Sequence, residues 1–439
     1  PAISPEEKQA VHDIGEPGLL FGPREMRLYP NGQLAGHILG GTTFGAQGVH
    51  SAEVIGMAGV EKAFDTFLRD PRFDGQPLQL SVDLTVQSAL EEALYGGMRL
   101  MNAKGASAVL MDAYSGEIVS LASLPDFDPN NRPRPLTQGD ASDSALFNRA
   151  VQGVYELGSA FKAFTVAQAM DLALVEPDSI VDTKGPLRWG KHKISDYRDY
   201  GAQMSVEKVL IKSSNIGTAR LSLMIGADLQ KDFLDRLGLL QATPIEVIEG
   251  PTGRPQYPKN WSDISTMTIS YGHGISTSPV HLAAGYAAMV NGGTLVQPTV
   301  LKQPSAQLGE RIISEETSRH LRGMMRRVVT EGTARMGDVP GYSVAGKTGT
   351  ADKPSPQGGY YSDKVLATFA SFFPSTDPRY VLIVTLDEPE DRTGPEPRRT
   401  AGATAVPVAA EIIRRVAPLL GLAPEIEPTL QNGLTLANN

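Results

Sequence analysis

An α+β architecture built on one antiparallel sheet of about five strands is what this sequence predicts. Three observations predict it. Two β-branched, apolar runs sit close together in "ASAVLMDAYSGEIVSLASL", beginning at Ala106. Three more, "YSVAGKTGTA", "VLATFASFFPS" and "RYVLIVTLDEP", lie beyond residue 340. Mainly helical patterning fills residues 158–290 between them. The early pair and the late three close economically into one sheet, with the terminal helices on one face and the inserted helices on the other.

Each element has its own signal. Residues 1–79 are rich in glycine, with short apolar pieces such as "GHILGG" and few helix patterns, and read as a small, loop-rich region. In "SVDLTVQSALEEALYGGMRLMNAKG", Asp83 is an N-cap, followed by apolar residues at helical spacing and a terminating glycine. "DAYSG" supplies the turn between the first two strands. Residues 124–150, dense in Pro, Asn and Asp, are a long surface loop. "PVHLAAGYAAMVNGG" is a small-residue helix stopped by Asn-Gly-Gly, and a last helix falls near 402–420. The tail "LAPEIEPTLQNGLTLANN" lacks periodicity and is expected to be loosely ordered. The expected division is 1–79, 80–422 and 423–439.

Composition narrows the function. The chain has 439 residues, 41% apolar and 20% charged, which is the make-up of a folded protein. A net charge of −9 and a pI near 5.4 speak against a nucleic-acid partner. There is no cysteine, so disulfides and thiolate chemistry are excluded. Seven histidines fall in no ligand spacing, and neither a metal nor a cofactor is expected. No stretch is long and apolar enough to span a membrane. The opening "PAISPEEKQAVHDIG" reads as the interior of something longer.

Chemistry points to "YELGSAFKAFT", where Ser159 precedes Lys162 by three residues. A lone S-x-x-K is weak, since a chain of this length holds roughly one by chance. Ser205-Val-Glu-Lys208 has the same spacing and reads as a plain helix cap. What separates the two is company: "KSSNIG" supplies Ser213 and Asn215, and "GKTGTA" supplies Lys347, Thr348, Gly349 and Thr350.

These residue types fit one task. A serine hydroxyl is a poor nucleophile until a base takes its proton. Lys162 shares a helical face with Ser159 and acts as a base only when neutral. Burial and a nearby Lys347 both lower its pKa. Asn215 can hold Lys162 and a substrate amide together, and Ser213 can relay a proton to a leaving amine. Gly349 permits close approach of another backbone, and an extended peptide can pair along that strand. Thr348 and Thr350 suit a terminal carboxylate. The backbone N–H groups of Ser159 and Thr350 form the expected oxyanion hole.

The ordered set S-x-x-K, S-x-N, K-T-G resembles that of penicillin-binding proteins and class A β-lactamases, and the chain as a whole looks like a class B penicillin-binding protein. "RLYPNG" (Arg27 to Gly32) and "GMAGVE" (Gly56 to Glu61) are similar to motifs of that class's non-catalytic pedestal, where Arg27 and Glu61 would brace the domain. "KISDYRDYGAQMSVEKVLIKSSNIG" and "WSDISTMTISYGHGISTSP" look most like the division-specific (FtsI-type) branch. Leu157 and Ala163 depart from it, standing where the family usually has proline.

The resemblance implies a D,D-transpeptidase that cross-links peptidoglycan stem peptides through an acyl-enzyme on Ser159 and is acylated there by β-lactams. It implies the periplasm, an inner-membrane anchor, and a membrane glycosyltransferase and other division proteins as partners. Three alternatives stand beside it: the elongation-specific branch, a serine β-lactamase and a β-lactam sensor. The chain lacks the E-x-x-L-N element of class A β-lactamases, and its pedestal-like start is foreign to those enzymes and to a sensor.

Overall fold

The computed structural model describes residues 5–19, 27–46, 52–73 and 76–425. Helix α1, Leu84–Leu100, begins where the Asp83 carboxylate accepts from the amides of Thr85 (2.8 Å) and Val86 (3.1 Å). It buries Val86, Leu90, Ala93 and Leu94, a stripe at helical spacing. Each large aliphatic in that stripe contributes roughly 1.5–3 kcal/mol.

Strands β1 (Gly105–Asp112) and β2 (Ile118–Leu124) follow as an antiparallel pair. Their turn is held by Asp112, whose carboxylate accepts from the amides of Tyr114 and Ser115. After the Lys162–Asp171 helix (α2), the chain forms α3 (Val206–Lys212) and α4 (Asn215–Ile225). Next come the fully buried α5 (Pro279–Val290) and α6 (Glu315–Thr330). Three long strands, β3 (Ala345–Pro354), β4 (Tyr360–Phe373) and β5 (Tyr380–Asp387), precede the last helix, α7 (Ala405–Leu419).

The five strands make one antiparallel sheet in the order β3-β4-β5-β1-β2. Helices α1 and α7 pack together on one face, and α5 covers β1 and β5 from the other, while α6 lies against β3. With helices on both sides, β1 and β2 are buried along nearly their whole length, which explains their continuous apolar runs. Strand β3 lies at the edge of the sheet, a position that leaves one side of its backbone open to pairing.

Two segments differ from the sequence expectation. The middle of the chain is not helical throughout: Ile180–Asp182 pairs with Gln203–Ser205, and Leu187–Trp189 with His192–Ile194. Three-residue strands carry too little alternation to register in a pattern search. The glycine-rich N-terminal region holds a hairpin, Gly41–Ala46 with Ala52–Ala58, because pairing and packing override the low strand propensity of glycine and alanine.

Within that region Arg27 Nε sits 2.7 Å from Glu61 Oε1, joining the two quoted motifs. Its ties to the rest include the Tyr29 amide on Asn130 (3.0 Å), the Ala35 amide on Glu91 (3.0 Å) and the Gly59 amide on Glu249 (3.0 Å). The tail expected to be loose lies, from residue 426, outside the described residues. No described helix is long and apolar enough to cross a membrane.

Candidate active site

Ser159 stands on a tight turn, Gly158–Phe161, of 3₁₀ geometry that runs straight into α2. In a 3₁₀ turn, residues i and i+3 eclipse, so Ser159 and Lys162 fall on one face. Gly158 has φ 55°, a left-handed value that glycine takes without strain. The turn is locked from below by Tyr286 of α5, whose hydroxyl donates to the Ala160 carbonyl at 2.8 Å. Phe161, Phe164 and Tyr286 pack edge to face around it.

Three backbones meet at this turn, which explains its glycines. A Cβ on Gly349 would lie 2.1 Å from the Leu157 carbonyl oxygen, and one on Gly272 would lie 2.0 Å from that of Gly158. A Cβ on Gly158 would stand 3.1 Å from the Thr350 nitrogen, so the β3 edge and the serine turn are in direct contact. The close approach expected of Gly349 is therefore made by the segment that carries Ser159.

Lys162 and Lys347 are both fully buried and converge on one residue. Lys162 Nζ donates to the Ser213 carbonyl (2.5 Å) and contacts Ser213 Oγ (3.0 Å). Lys347 Nζ lies 2.9 Å from the same Oγ and donates to the Thr348 carbonyl at 3.1 Å. Ser213 caps the end of α3 with φ 62°, a conformation that a non-glycine side chain rarely adopts. That backbone aims its hydroxyl between the two amines. Burial, followed by repulsion from Lys347, holds the Lys162 amine well below the usual lysine range, and Asp196 pulls weakly the other way. Burial brings Lys347 down to about 7.

Asn215 does not hold Lys162, as its motif position suggested. Its side-chain amide donates instead to the Ser195 carbonyl at 3.0 Å, because the start of α4 is tied to the 195–196 segment. There the Asp196 carboxylate accepts from Ser214 Oγ (2.7 Å) and from the amides of Asn215 (2.6 Å) and Ile216 (3.0 Å). Ser213 holds Lys162 in its place, and Asp196, which sequence reasoning did not single out, holds the start of α4. Nothing local marked Asp196, since a strand, Gln203–Ser205, and helix α3 lie between it and "SSN".

Ser159, Ser213, Asn215, Thr348 and Thr350 line one cavity of about 700 Å³. Thr348 Oγ1 is 2.6 Å from Thr333 Oγ1, and Thr350 Oγ1 accepts from the Ala401 amide at 2.9 Å. Thr333 carried no motif and was not foreseen. Glu156, His273 and Tyr360 close one wall, while Tyr197, Tyr200 and Lys212 line another part. Ser205 sits apart as an N-cap, accepting from the Lys208 amide at 3.3 Å, with Lys208 exposed. No group of metal-ligating side chains occurs among the described residues.

A serine turn, two buried amines on a shared hydroxyl and a strand edge come together beside this cavity. Residues 106–414 match the model of the penicillin binding protein transpeptidase domain, and the chain belongs to that family. It is 36% identical to a probable peptidoglycan D,D-transpeptidase FtsI of Caulobacter vibrioides, over 97% of this chain and 71% of that one. Against the Escherichia coli K12 FtsI the identity is 29%, over 96% and 72% of the two chains. The transpeptidase domain of penicillin-binding protein 3 from Burkholderia pseudomallei superposes with a TM-score of 0.70 at 31% identity, covering 80% of this chain and 99% of that one. The protein is a class B penicillin-binding protein of FtsI type, a peptidoglycan D,D-transpeptidase working by serine acyl transfer.

Proposed function

We propose that Ser159 carries the acyl group in this transpeptidation and that Lys162 is its base, in the service of septal wall synthesis. Neutral Lys162 accepts the Ser159 proton as Oγ bonds to the penultimate D-Ala carbonyl carbon. The oxyanion is held by the backbone N–H groups of Ser159 and Thr350. The proton passes through the Ser213 hydroxyl to the nitrogen of the terminal D-Ala, the C–N bond breaks, and D-Ala leaves. The amine of a second stem peptide then attacks the ester and gives up its proton toward Lys162. The C–O bond breaks, and Ser159 recovers its hydrogen.

The other groups orient the donor. Lys347, Thr348 and Thr350 hold its carboxylate, Gly349 keeps the strand edge against the serine turn, and Asn215 holds the substrate amide with its free amide oxygen. A β-lactam presents the same carbonyl and carboxylate, but its leaving nitrogen stays tethered, so the ester persists. The observation that carries this reading is the Ser213 hydroxyl set 3.0 Å from one buried amine and 2.9 Å from another.

Residues 1–79 serve as the pedestal and 80–422 as the catalytic unit, a division supported by the Arg27–Glu61 ion pair joining the two N-terminal motifs. The peptidoglycan substrate class supports a periplasmic role for the chain, with an inner-membrane anchor and a glycan-polymerising membrane partner of the division machinery as the expected setting. Two measurements test the reading. With a donor pentapeptide and an amine acceptor, mass spectrometry should find free D-Ala and the cross-linked product with the native chain and neither with Ser159→Ala. Depletion in cells should give filaments; rounded cells would assign the chain to elongation instead.

A further inference from the structure

The β3 edge is supported unevenly along its length. From Ala345 to Gly349 the strand is buried; from Thr350 outward it is half-exposed or exposed, yet Thr350, Ala351 and Asp352 all line the cavity. Strands β3 and β4 run on together as an overhanging hairpin to the Pro354–Tyr360 pair. Two sets of contacts hold this overhang. On the side away from the cavity, Lys353 Nζ pairs with Asp387 (2.6 Å) and Glu388 (2.8 Å). On the cavity side, the Tyr360 hydroxyl donates to Glu156 Oε1 at 3.0 Å.

Glu156 precedes Ser159 by three residues, and its side chain is almost wholly buried. The same Oε1 accepts from the Gly274 amide at 2.7 Å, and Oε2 lies 3.1 Å from His273 Nδ1. The His273 ring packs on Tyr360 with centroids 5.0 Å apart, and Nε2 lies 3.5 Å from the Tyr360 oxygen. One carboxylate thus joins the serine turn, the 272–274 loop and the tip of the hairpin. Burial works to raise the Glu156 carboxyl, but His273, the Gly274 amide and Tyr360 together bring it below its ordinary value, so it is ionised. Burial and Glu156 push the Tyr360 hydroxyl up, which keeps it a donor.

We propose that Glu156 is a positioning residue for this transpeptidation: through Tyr360 it fixes the outer half of the β3 edge at the distance from Ser159 that a bound ligand needs. The proposal rests on the reading that ligands pair along β3 beside Ser159. Glu156 moves no proton in the reaction. Its effect falls on formation of the pre-acylation complex and leaves the bond-making step alone.

Acylation by benzylpenicillin, followed at saturating and sub-saturating concentrations, separates the dissociation constant of that complex, Ks, from the acylation rate constant, k2. Tyr360→Phe keeps the ring and removes only the hydroxyl from a partly exposed residue. We expect Ks to rise at least about tenfold, the loss of one hydrogen bond to a charged group, with k2 within about twofold of the native value. Glu156→Ala should do the same, and Glu156→Gln should recover most of the affinity, since its amide oxygen still accepts from Gly274 and Tyr360. An unchanged Ks in Tyr360→Phe, or a k2 that falls in step with Tm, overturns the proposal. Absence of Ser159 acylation in the native chain would instead overturn the reading of the site.

Discussion

Replacing Lys347 by methionine removes one of two buried amines and keeps most of its volume. Ser213 Oγ lies 3.0 Å from Lys162 Nζ and 2.9 Å from Lys347 Nζ. The two nitrogens are therefore within about 6 Å of each other, where two unit charges at an effective dielectric of ~20 repel by roughly 3 kcal/mol. That is equivalent to about two pH units on the group that bears the repulsion. The repulsion acts on Lys162, after burial, to favour its neutral form. Without it, Lys162 holds its proton to higher pH. Acylation needs the neutral amine, so the rising limb of k2 against pH should move toward alkaline pH by as much as about two units in Lys347→Met. Acylation by a chromogenic cephalosporin at saturating concentrations between pH 5 and 10 reads this directly. The plateau will also fall because the carboxylate grip is lost, but the position of the limb is the test. A limb that stays in place, or moves toward acid, would refute the idea that the second amine tunes the first.

Three further outcomes follow from the same contacts. Asp196 favours the charged form of Lys162, so Asp196→Asn, which can preserve the bonds to Ser214, Asn215 and Ile216, should move that limb toward acid pH, opposite to Lys347→Met. Lys347 has a folded-state pKa of about 7 against an ordinary lysine value. Between those two values the unfolded chain binds the extra proton, so this lysine's destabilising contribution is full below pH 7 and fades as pH rises toward about 10. Urea titrations at pH 7 should therefore find Lys347→Met stabilised by about 1–4 kcal/mol, with the gain shrinking by pH 10. Gly349→Ala places a Cβ 2.1 Å from the Leu157 carbonyl oxygen, which must push the serine turn and the β3 edge apart. Penicillin acylation should fall at least about 100-fold, while far-UV circular dichroism should remain that of the native chain.

The sheet was legible because its strands are long, contiguous and apolar, and because an inserted helical block can be closed only by pairing the early hairpin with the late strands. Asp83 as a cap and "DAYSG" as a turn were legible because both act within a few residues. The Gly41–Ala46 hairpin was not, since glycine and alanine interrupt its short β-branched and aromatic runs, Thr42–Phe44 and Val54–Ile55. Among the site residues, Lys162, Ser213 and Lys347 meet as the motifs suggested, but how Lys162 and Asn215 are held was missed. Lys162 is bonded by Ser213, and Asn215 is drawn off by Ser195. Glu156, His273 and Tyr360 come together across as many as 204 residues of chain, so nothing local marks them. Leu157 and Ala163, which replace the family's prolines, are both buried, so packing holds them where a rigid ring would otherwise do so.

The account turns on Ser159 being the acylated residue, and the chain carries its own control in Ser205, which has the same spacing to a lysine but serves as a helix cap. Covalent labelling with a fluorescent penicillin, compared among the native chain, Ser159→Ala and Ser205→Ala, is the most direct measurement. Label should vanish only in Ser159→Ala and remain at the native level in Ser205→Ala. Label that survives Ser159→Ala would contradict the assignment.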